Sequence, residues 1–428
     1  MAYVPFLVMV VSLLLGLPIA FSLAVAGIVG IYMLGGDWNV VSRILGTTPF
    51  STAAEYVLTT IPMFILMAYF SASGGLARDL YTAGAQWLSR VKGGLAIATV
   101  FACGVFGAMS GASLAAAAVM SSIAMPEMRR HGYSDELAAG AIGIGATLDI
   151  LIPPSVGMVI YGITTQTSIG KLLIAGVIPG IIVGIFLILA IIVWVRVRPA
   201  HAPQTYVVSR SERWAGLRRI WSSLLLIVLV VALLYTGAAT PTEVGALGAF
   251  LAAAIGVALK RLSWAGATEA IRQTIKTSGL IFMILIGATI FGYYMAMSQI
   301  PQHVVAVVAA LDLNRWVVMS GIVVAYFVVS MFMDELPLLL LTLQLTFPLI
   351  VSLGFDPIWF GVMSMLMVSM GLVFPPVGMI AFVVSSSANV SLVKVYTGTS
   401  ILMIALVLTT ILIMIFPQIV LWLPNTMR

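Results

Sequence analysis

Charge is scarce in this chain: 8% of its 428 residues are charged, against 62% that are apolar. A water-soluble domain of this size needs far more charge on its surface, so the scarcity excludes an ordinary soluble protein. Cysteine occurs once, at Cys103, which excludes an intrachain disulfide. The three histidines, His131, His201 and His303, fall in stretches that read as loops, and no two are spaced as a His-x-x-x-His metal pair. A Ser–His intramembrane protease needs a histidine at membrane depth, so that chemistry has no candidate here. The phosphate-cradling loop G-x-x-x-x-G-K-S/T is missing, and direct use of ATP is not expected. Met1-Ala2-Tyr3-Val4 lacks the basic n-region of a cleaved signal peptide, so the first apolar segment is expected to persist. The net charge of +6 reflects basic residues gathered between apolar runs, which points to membrane orientation and not to nucleic acid.

What the chain has in abundance is apolar runs near or above the ~20 residues that cross a bilayer. They fall at 3–34, 57–74, 94–127, 134–167, 172–196, 218–236, 240–260, 277–298, 314–352, 356–388 and 397–423. This is the pattern of an all-α polytopic protein of the lipid bilayer. Gly16 and Pro18 divide the first run. The runs 94–127 and 314–352 are too long for one helix. Ser110-Gly111-Ala112-Ser113 interrupts the first, and Met333-Asp334-Glu335-Leu336-Pro337 the second. Each break leaves arms of roughly 13 to 18 residues, short of a crossing. The reading is a re-entrant helical hairpin, whose turn is tolerated at depth only where protein or a wet cavity surrounds it.

The helix breakers recur. Pro126, Gly132-Tyr133 and Pro153-Pro154 are matched by Pro348, Gly354-Phe355 and Pro375-Pro376, each 222 positions later. Broken helices at corresponding places in two halves mark a transporter binding site at the repeat interface. Basic residues give the orientation. Arg196, Arg198, Arg210, Arg213, Arg218 and Arg219 crowd the connection between the halves, which is expected to be cytoplasmic. Counting crossings back from there places Arg90, Lys92, Arg129 and Arg130, at the base of the first hairpin, on the same side. Counting forward adds Lys260, Arg261, Arg272 and Lys276, and leaves the second hairpin base, with Arg315 alone, facing outward. The two halves are therefore expected to be inverted repeats.

Paired prolines unwind a helix, because each removes a donor and clashes with the preceding turn. At Pro153-Pro154-Ser155 and Pro375-Pro376-Val377-Gly378 the freed carbonyls can ligate a cation, and the amides opening the next half-helix can face an anion. A mechanical kink is the alternative reading of either pair alone. At the first tip, Ser110, Gly111, Ala112 and Ser113 offer hydroxyls and close backbone approach suited to a hard cation, or equally to tight helix packing. Asp149, Asp334 and Glu335 are ionisable groups expected at membrane depth, where such groups are functional by default. Sodium ligand, proton carrier and structural carboxylate all remain open for them.

Other features read as structural. Leu76 to Val91 is an interfacial helix, with Leu76, Leu80, Ala83, Trp87, Leu88 and Val91 on one face and Arg78, Asp79, Gln86 and Arg90 mostly opposite. Trp264 to Lys276 has similar character, and either stretch suits a brace between a moving and a fixed part or a plain surface helix. Thr240-Pro241-Thr242-Glu243 has the makings of a capping box with proline at the first helical position. Pro126-Glu127-Met128 reads as an exit turn.

These motifs together resemble the large membrane subunit of the tripartite ATP-independent periplasmic (TRAP) transporters over nearly the whole chain. The stretches that carry the resemblance are Phe106 to Ser113, Pro126-Glu127-Met128 with Gly132-Tyr133, Ile152 to Ser155, and Ser168-Ile169-Gly170 with Ala175 to Gly180. Pro241-Thr242-Glu243, Phe332-Met333-Asp334 and Pro375 to Gly378 complete them. The resemblance implies a sodium-coupled elevator in a bacterial or archaeal inner membrane, working with a small membrane subunit and a periplasmic substrate-binding protein. By motif it carries the family's sodium sites to Ser110–Ser113 with Pro153–Ser155, and to Met333–Glu335 with Pro375–Gly378. It also implies a division into 1–93 (scaffold and arm), 94–170 (hairpin and broken helix), 171–217 (crossing helix and cytoplasmic linker), 218–313 (scaffold and arm), 314–390 (hairpin and broken helix) and 391–428 (C-terminal helix).

The chain departs from the family pattern in three places. Ala112 stands where the family often has serine, Phe374 where it commonly has threonine, and Asp149 where glycine is expected. The expected cargo is a small organic anion, carboxylate or sulfonate, carried with Na⁺. The competing expectations are a proton-coupled transporter using Asp149, Asp334 or Glu335, a channel and, most remotely, an intramembrane enzyme.

Overall fold

The computed structural model describes residues 3–35, 37–202 and 208–427; Met1 and Ala2 of the N-terminal reading, and 203–207 of the linker, lie outside them. Among the described residues every regular element is a helix. The first half comprises α1 (Val4–Leu14), α2 (Ile19–Gly35), α3 (Trp38–Ala53), α4 (Thr60–Ser73), α5 (Leu76–Trp87), α6 (Gly94–Ser110) and α7 (Ser113–Arg130). It continues through α8 (Asp135–Ala146), α9 (Val156–Thr165), α10 (Ile169–Ala175) and α11 (Val177–Val197). A linker helix α12 (Arg210–Arg219) leads to α13 (Trp221–Thr236), α14 (Pro241–Ala258), α15 (Trp264–Ser298), α16 (Ile300–Ala310), α17 (Arg315–Ser330) and α18 (Glu335–Ser352). The chain ends with α19 (Pro357–Gly371), α20 (Met379–Ala388), α21 (Leu392–Leu402), α22 (Ile404–Ile415) and α23 (Gln418–Asn425).

Six described helical stretches are long and apolar enough to cross a membrane: Tyr56–Ser73, Ile169–Val197, Pro241–Ala258, Trp264–Ser298, Glu335–Ser352 and Leu392–Ile415. The chain is a multi-pass membrane protein. Its element order recurs at the spacing of the proline pairs. α7 and α18 begin at Ser113 and Glu335, and α8 and α19 at Asp135 and Pro357, each 222 residues apart. Helix pairing is reciprocal too. α2 packs on α15 while α14 packs on α4, and α9 packs on α18 while α20 packs on α7. Residues 137–146 of α8 and 359–371 of α19 are buried throughout. Helices apolar on every side belong in the interior, and these two form the centre of the bundle.

The punctuation is local chemistry. Gly132 and Gly354 adopt φ +75° and +73°. In both turns the following aromatic residue sends its N–H back, from Tyr133 to Met128 O and from Phe355 to Ile350 O, which closes the helix end in a Schellman turn. Thr240 and Glu243 form the full capping box at the start of α14.

Five expectations need correction. Pro126 is no exit turn but lies inside α7; one proline forfeits one intrahelical bond, and the glycine six residues later does the terminating. The second break covers Met331–Asp334, with Glu335, Leu336 and Pro337 already in α18, since proline is welcome in a first turn. Trp264 to Lys276 is not a separate helix, because neither proline nor a capping residue divides it from the rest of α15. His303 lies in α16, not in a loop. Within α5, Asp79 also turns inward, where Arg261 pairs with it.

Candidate functional site

The first hairpin turns in two residues. α6 ends at Ser110, Gly111 takes φ +58° and Ala112 is extended. The tip rests on the first proline break, where a Cβ on Gly111 would come within 3.0 Å of the Pro154 carbonyl oxygen. One residue on, buried Ser113 donates a 2.8 Å hydrogen bond to Asp149 Oδ1. Asp149 is 1% exposed and has close access to α6 because Gly107 lacks a Cβ, which would otherwise sit 3.0 Å from the Asp149 Cα. Its Oδ2 is buried without a hydrogen-bond partner. Ser110 Oγ accepts from the Ala112 amide at 3.4 Å. Ser155 caps α9, accepting from the Met158 amide at 3.3 Å. Pro153, Pro154 and Ser155 are all buried.

The second break is built from the same parts with a different finish. The Gly378 amide donates to Met331 O at 3.1 Å, which ties the tip to the proline pair. Gly371, the counterpart of Asp149, leaves room for Ser330, which donates to Met367 O at 3.1 Å. Pro375 is half-buried and Pro376 exposed. The carbonyls freed by this break already have donors. Tyr396 Oη reaches Pro376 O at 3.1 Å and Val377 O at 2.7 Å, and Thr399 Oγ1 reaches Val373 O at 2.9 Å. Both proline pairs are joined by cis peptides.

The two breaks converge through Glu335. It opens α18, is 8% exposed, and has a buried, unpartnered Oε1. That oxygen lies where a Cβ would stand on Gly157, in the first turn of α9. The first turn of α9, whose amides the sequence offers to an anion, thus has a carboxyl group of the protein packed against its side, with no amide donating to this oxygen. Asp334 caps the backbone of α18 without using its side chain. The four ion pairs among the described residues lie elsewhere, on Asp135, Glu127 and Asp79. Met333 is half-buried beside the tip.

The oxygens on offer are therefore two unpartnered carboxylate atoms, serine hydroxyls and the carbonyls of the first break. No three His, Cys, Asp or Glu among the described residues are grouped to hold a metal. The set matches a weakly charged hard cation coordinated by mixed oxygens, not a multi-carboxylate divalent site.

A cavity of about 1170 Å³ lies between α15, α14 and the α3–α4 region on one side and α9, α10 and α18 on the other. Leu340, Gln344 and Pro348, one stripe of α18, form part of its wall. Gln344 Nε2 donates to Ala288 O at 2.9 Å, across to α15. It fits because Gly292 lacks a Cβ. Sequence reading missed Gln344, Gly157 and Tyr396. A lone amide in an apolar helix was the available signal for the first.

The ends of the molecule are distinguished as well. Tyr161 Oη, in the middle of α9, donates to Pro357 O at 2.7 Å beside the second hairpin base. Arg129, at the first hairpin base, donates to Ala388 O and Asn389 O at the end of α20, at 3.1 and 3.2 Å.

Residues 6–419 match the family model described as the DctM component of the tripartite ATP-independent periplasmic transporter. The chain is 34% identical over 405 residues to the C4-dicarboxylate TRAP transporter large permease protein DctM of Pseudomonas aeruginosa, with 94% of each chain covered. It is 31% identical to the ectoine TRAP transporter large permease protein TeaC of Halomonas elongata, covering 97% of each. Among solved structures it resembles the YdaH transporter of Alcanivorax borkumensis, with a TM-score of 0.66 at 16% identity over 89% of each chain, a likeness of fold alone.

Proposed function

From the premise that the chain belongs to the DctM family, and so is the large permease component of a TRAP transporter, we propose that it is the sodium-coupled membrane engine of an importer for small carboxylates or sulfonates. It takes the solute from a periplasmic binding protein and works beside a small membrane subunit in the inner membrane. The α6–α7 and α17–α18 hairpins are re-entrant and belong to inverted repeats. The base of the first, rich in arginine, faces the cytoplasm, and that of the second faces the periplasm. The reciprocal contacts Tyr161–Pro357 and Arg129–Ala388 support this. The hairpins and broken helices move as an elevator against a scaffold that includes α2, α4, α14 and α15.

One observation carries the reading: each hairpin tip touches the proline break of its own half, and Glu335 then joins the second tip to the first break. The ion and solute site comprises Ser110, Gly111, Ala112, Ser113, Asp149, Pro153, Pro154 and Ser155, with Met333, Asp334, Glu335, Pro375, Pro376 and Gly378. Sodium fits most readily at the first break, since Tyr396 and Thr399 compete for the carbonyls of the second. Each tenfold sodium gradient supplies about 1.4 kcal/mol per ion. The membrane potential adds about 2.3 kcal/mol per net charge per 100 mV. Both drive accumulation without ATP.

Uptake into proteoliposomes, with each component omitted in turn and choline replacing Na⁺, tests this. Accumulation that persists in choline sinks it. The unpartnered oxygens of Asp149 and Glu335 favour a second reading, proton coupling, which uptake driven by a pH gradient alone would establish.

A further inference from the structure

The two proline breaks differ in what covers their carbonyls. Positions 222 residues apart correspond between the halves. At the second break α21 supplies hydroxyls. Tyr396 Oη donates toward Val377 O at 2.7 Å and Pro376 O at 3.1 Å, and Thr399 Oγ1 donates to Val373 O at 2.9 Å. The matching residues of the first half are Ile174 and Val177, which have no hydroxyl to offer. Among the described residues no hydrogen bond reaches Pro154 O, the counterpart of Pro376 O. The acids are placed unevenly as well. Asp149 stands on the first broken helix, whereas Gly371 holds the corresponding place in the second and has Ser330 packed against it. Glu335 opens α18 of the second hairpin, yet packs on Gly157 in the α9 that follows the first break. Pro153, Pro154 and Ser155 are buried, while Pro376 is exposed.

Carbonyls freed by prolines can hold a hard cation. A tyrosine hydroxyl has a single hydrogen to donate, and here it lies between two such carbonyls, at the point from which a cation would bind both. Sodium entering there must displace Tyr396 and Thr399. Each neutral hydrogen bond lost weakens the competing ligand about two- to tenfold. Two donors therefore set sodium back roughly 4- to 100-fold against an uncovered set of carbonyls. Resting on the reading of the proline breaks as sodium sites, we infer that Tyr396, with Thr399, fills the second site. The chain then holds one sodium ion, at the first break, although its repeat offers two places. Tyr396 is a positioning residue: its phenol keeps the second break in the shape that an ion keeps the first, and it fixes the number of ions carried.

The test uses the permease purified with its small subunit. Radioactive sodium bound per chain is counted at saturation, and melting temperatures are followed in NaCl and in choline chloride of equal strength. The parent is expected to bind one ion per chain without cooperativity, since the Hill coefficient is bounded by the number of sites. Tyr396→Phe keeps the ring and removes the hydrogen, and Thr399→Val removes the other donor. The double variant is expected to bind a second ion, and to lose stability in choline that NaCl restores. Tyr396→Phe alone, the milder change, carries the same test where the double variant does not fold. Hydroxyls with a merely structural role would lower the melting temperature equally in both salts and leave the ion count unchanged, and that result overturns the inference. A parent that binds two ions also overturns it and leaves sodium coupling standing. A parent that binds none, beside a variant that binds one, ends sodium coupling in the natural chain and keeps the role of Tyr396. Binding by neither ends both.

Discussion

Ser113 Oγ donates to Asp149 Oδ1 at 2.8 Å, and this bond ties the tip of the first hairpin to the broken helix beside it. The corresponding positions of the second half are Glu335 and Gly371, so the two halves place their carboxylates on opposite partners: one on the broken helix, the other on the hairpin. The pair is an exchange between halves, not a duplication. Asp149→Asn keeps the shape and removes the charge. A hydrogen bond to a charged group contributes about 1.5–3 kcal/mol, so the sodium concentration for half-maximal uptake should rise roughly 10- to 100-fold. Sodium titration of uptake in proteoliposomes reads this directly. An unchanged half-maximal concentration places the ion elsewhere.

Asp334→Ala should abolish or strongly weaken sodium-dependent uptake while leaving the fold intact, since its side chain makes no capping bond. Thermal unfolding with and without Na⁺ separates the two effects. Undiminished sodium dependence would remove Asp334 from the ion site.

Gly157→Ala puts a methyl group into the space of Glu335 Oε1. Overpacking a buried contact costs about 1–3 kcal/mol, so a lower melting temperature is expected together with lost uptake. Combining it with Glu335→Ala should restore stability but not transport. If the double variant stays as unstable as the single one, the contact is not the cause.

Gln344→Ala removes the bond to Ala288 O between α18 and α15. A neutral hydrogen bond contributes about 0.5–1.5 kcal/mol net, enough to shift a two-state population about two- to tenfold. Because the chain has one cysteine, Cys103, and it is buried, introduced cysteine pairs across α15 and α18 can report the shift by cross-linking rate. No change in rate would mean that this bond does not bias the sliding step.

Asp135 gives the pH dependence. Burial raises its pKa, but hydrogen bonds and charge from Arg129 and Lys394 outweigh it and hold the carboxyl below its ordinary value. A carboxylate with a lowered folded pKa stabilises above its unfolded value, near 3.9, and loses that contribution as pH falls through the folded value. Its partners are partly solvent-exposed, so the effect is at most about 1 kcal/mol. Melting temperatures of the parent and Asp135→Asn should differ at neutral pH and converge in acid. A gap that stays constant into acid would show that the charge is not responsible.

The breakers that made the hairpins legible act through the backbone. Gly111, Gly132, Gly354 and the proline pairs impose φ values or remove donors wherever they stand, and the Thr240–Glu243 box closes within one turn. What stayed hidden acts across the chain. Asp79 turns inward only because Arg261, 182 residues away, is there to meet it. Tyr396 covers the second break from a helix whose own pattern says nothing of it. Pro126 looked like an end because a proline's local meaning depends on whether the next residues have somewhere to pack. The acids at the tips were legible by type and depth, but their convergence on α9 through a missing Cβ at Gly157 was not.

α15 runs unbroken for 35 residues, about 52 Å at 1.5 Å per residue, against a hydrocarbon thickness of about 30 Å. One end carries Trp264, Arg272 and Lys276, and the other supplies Gly292 and Tyr293 to the cavity wall. A helix that outruns the hydrocarbon by this much has about fifteen residues to spare, and its basic end is the one opposite the cavity. One continuous element thus links that basic end to the cavity wall, so a force applied at the first is felt at the second.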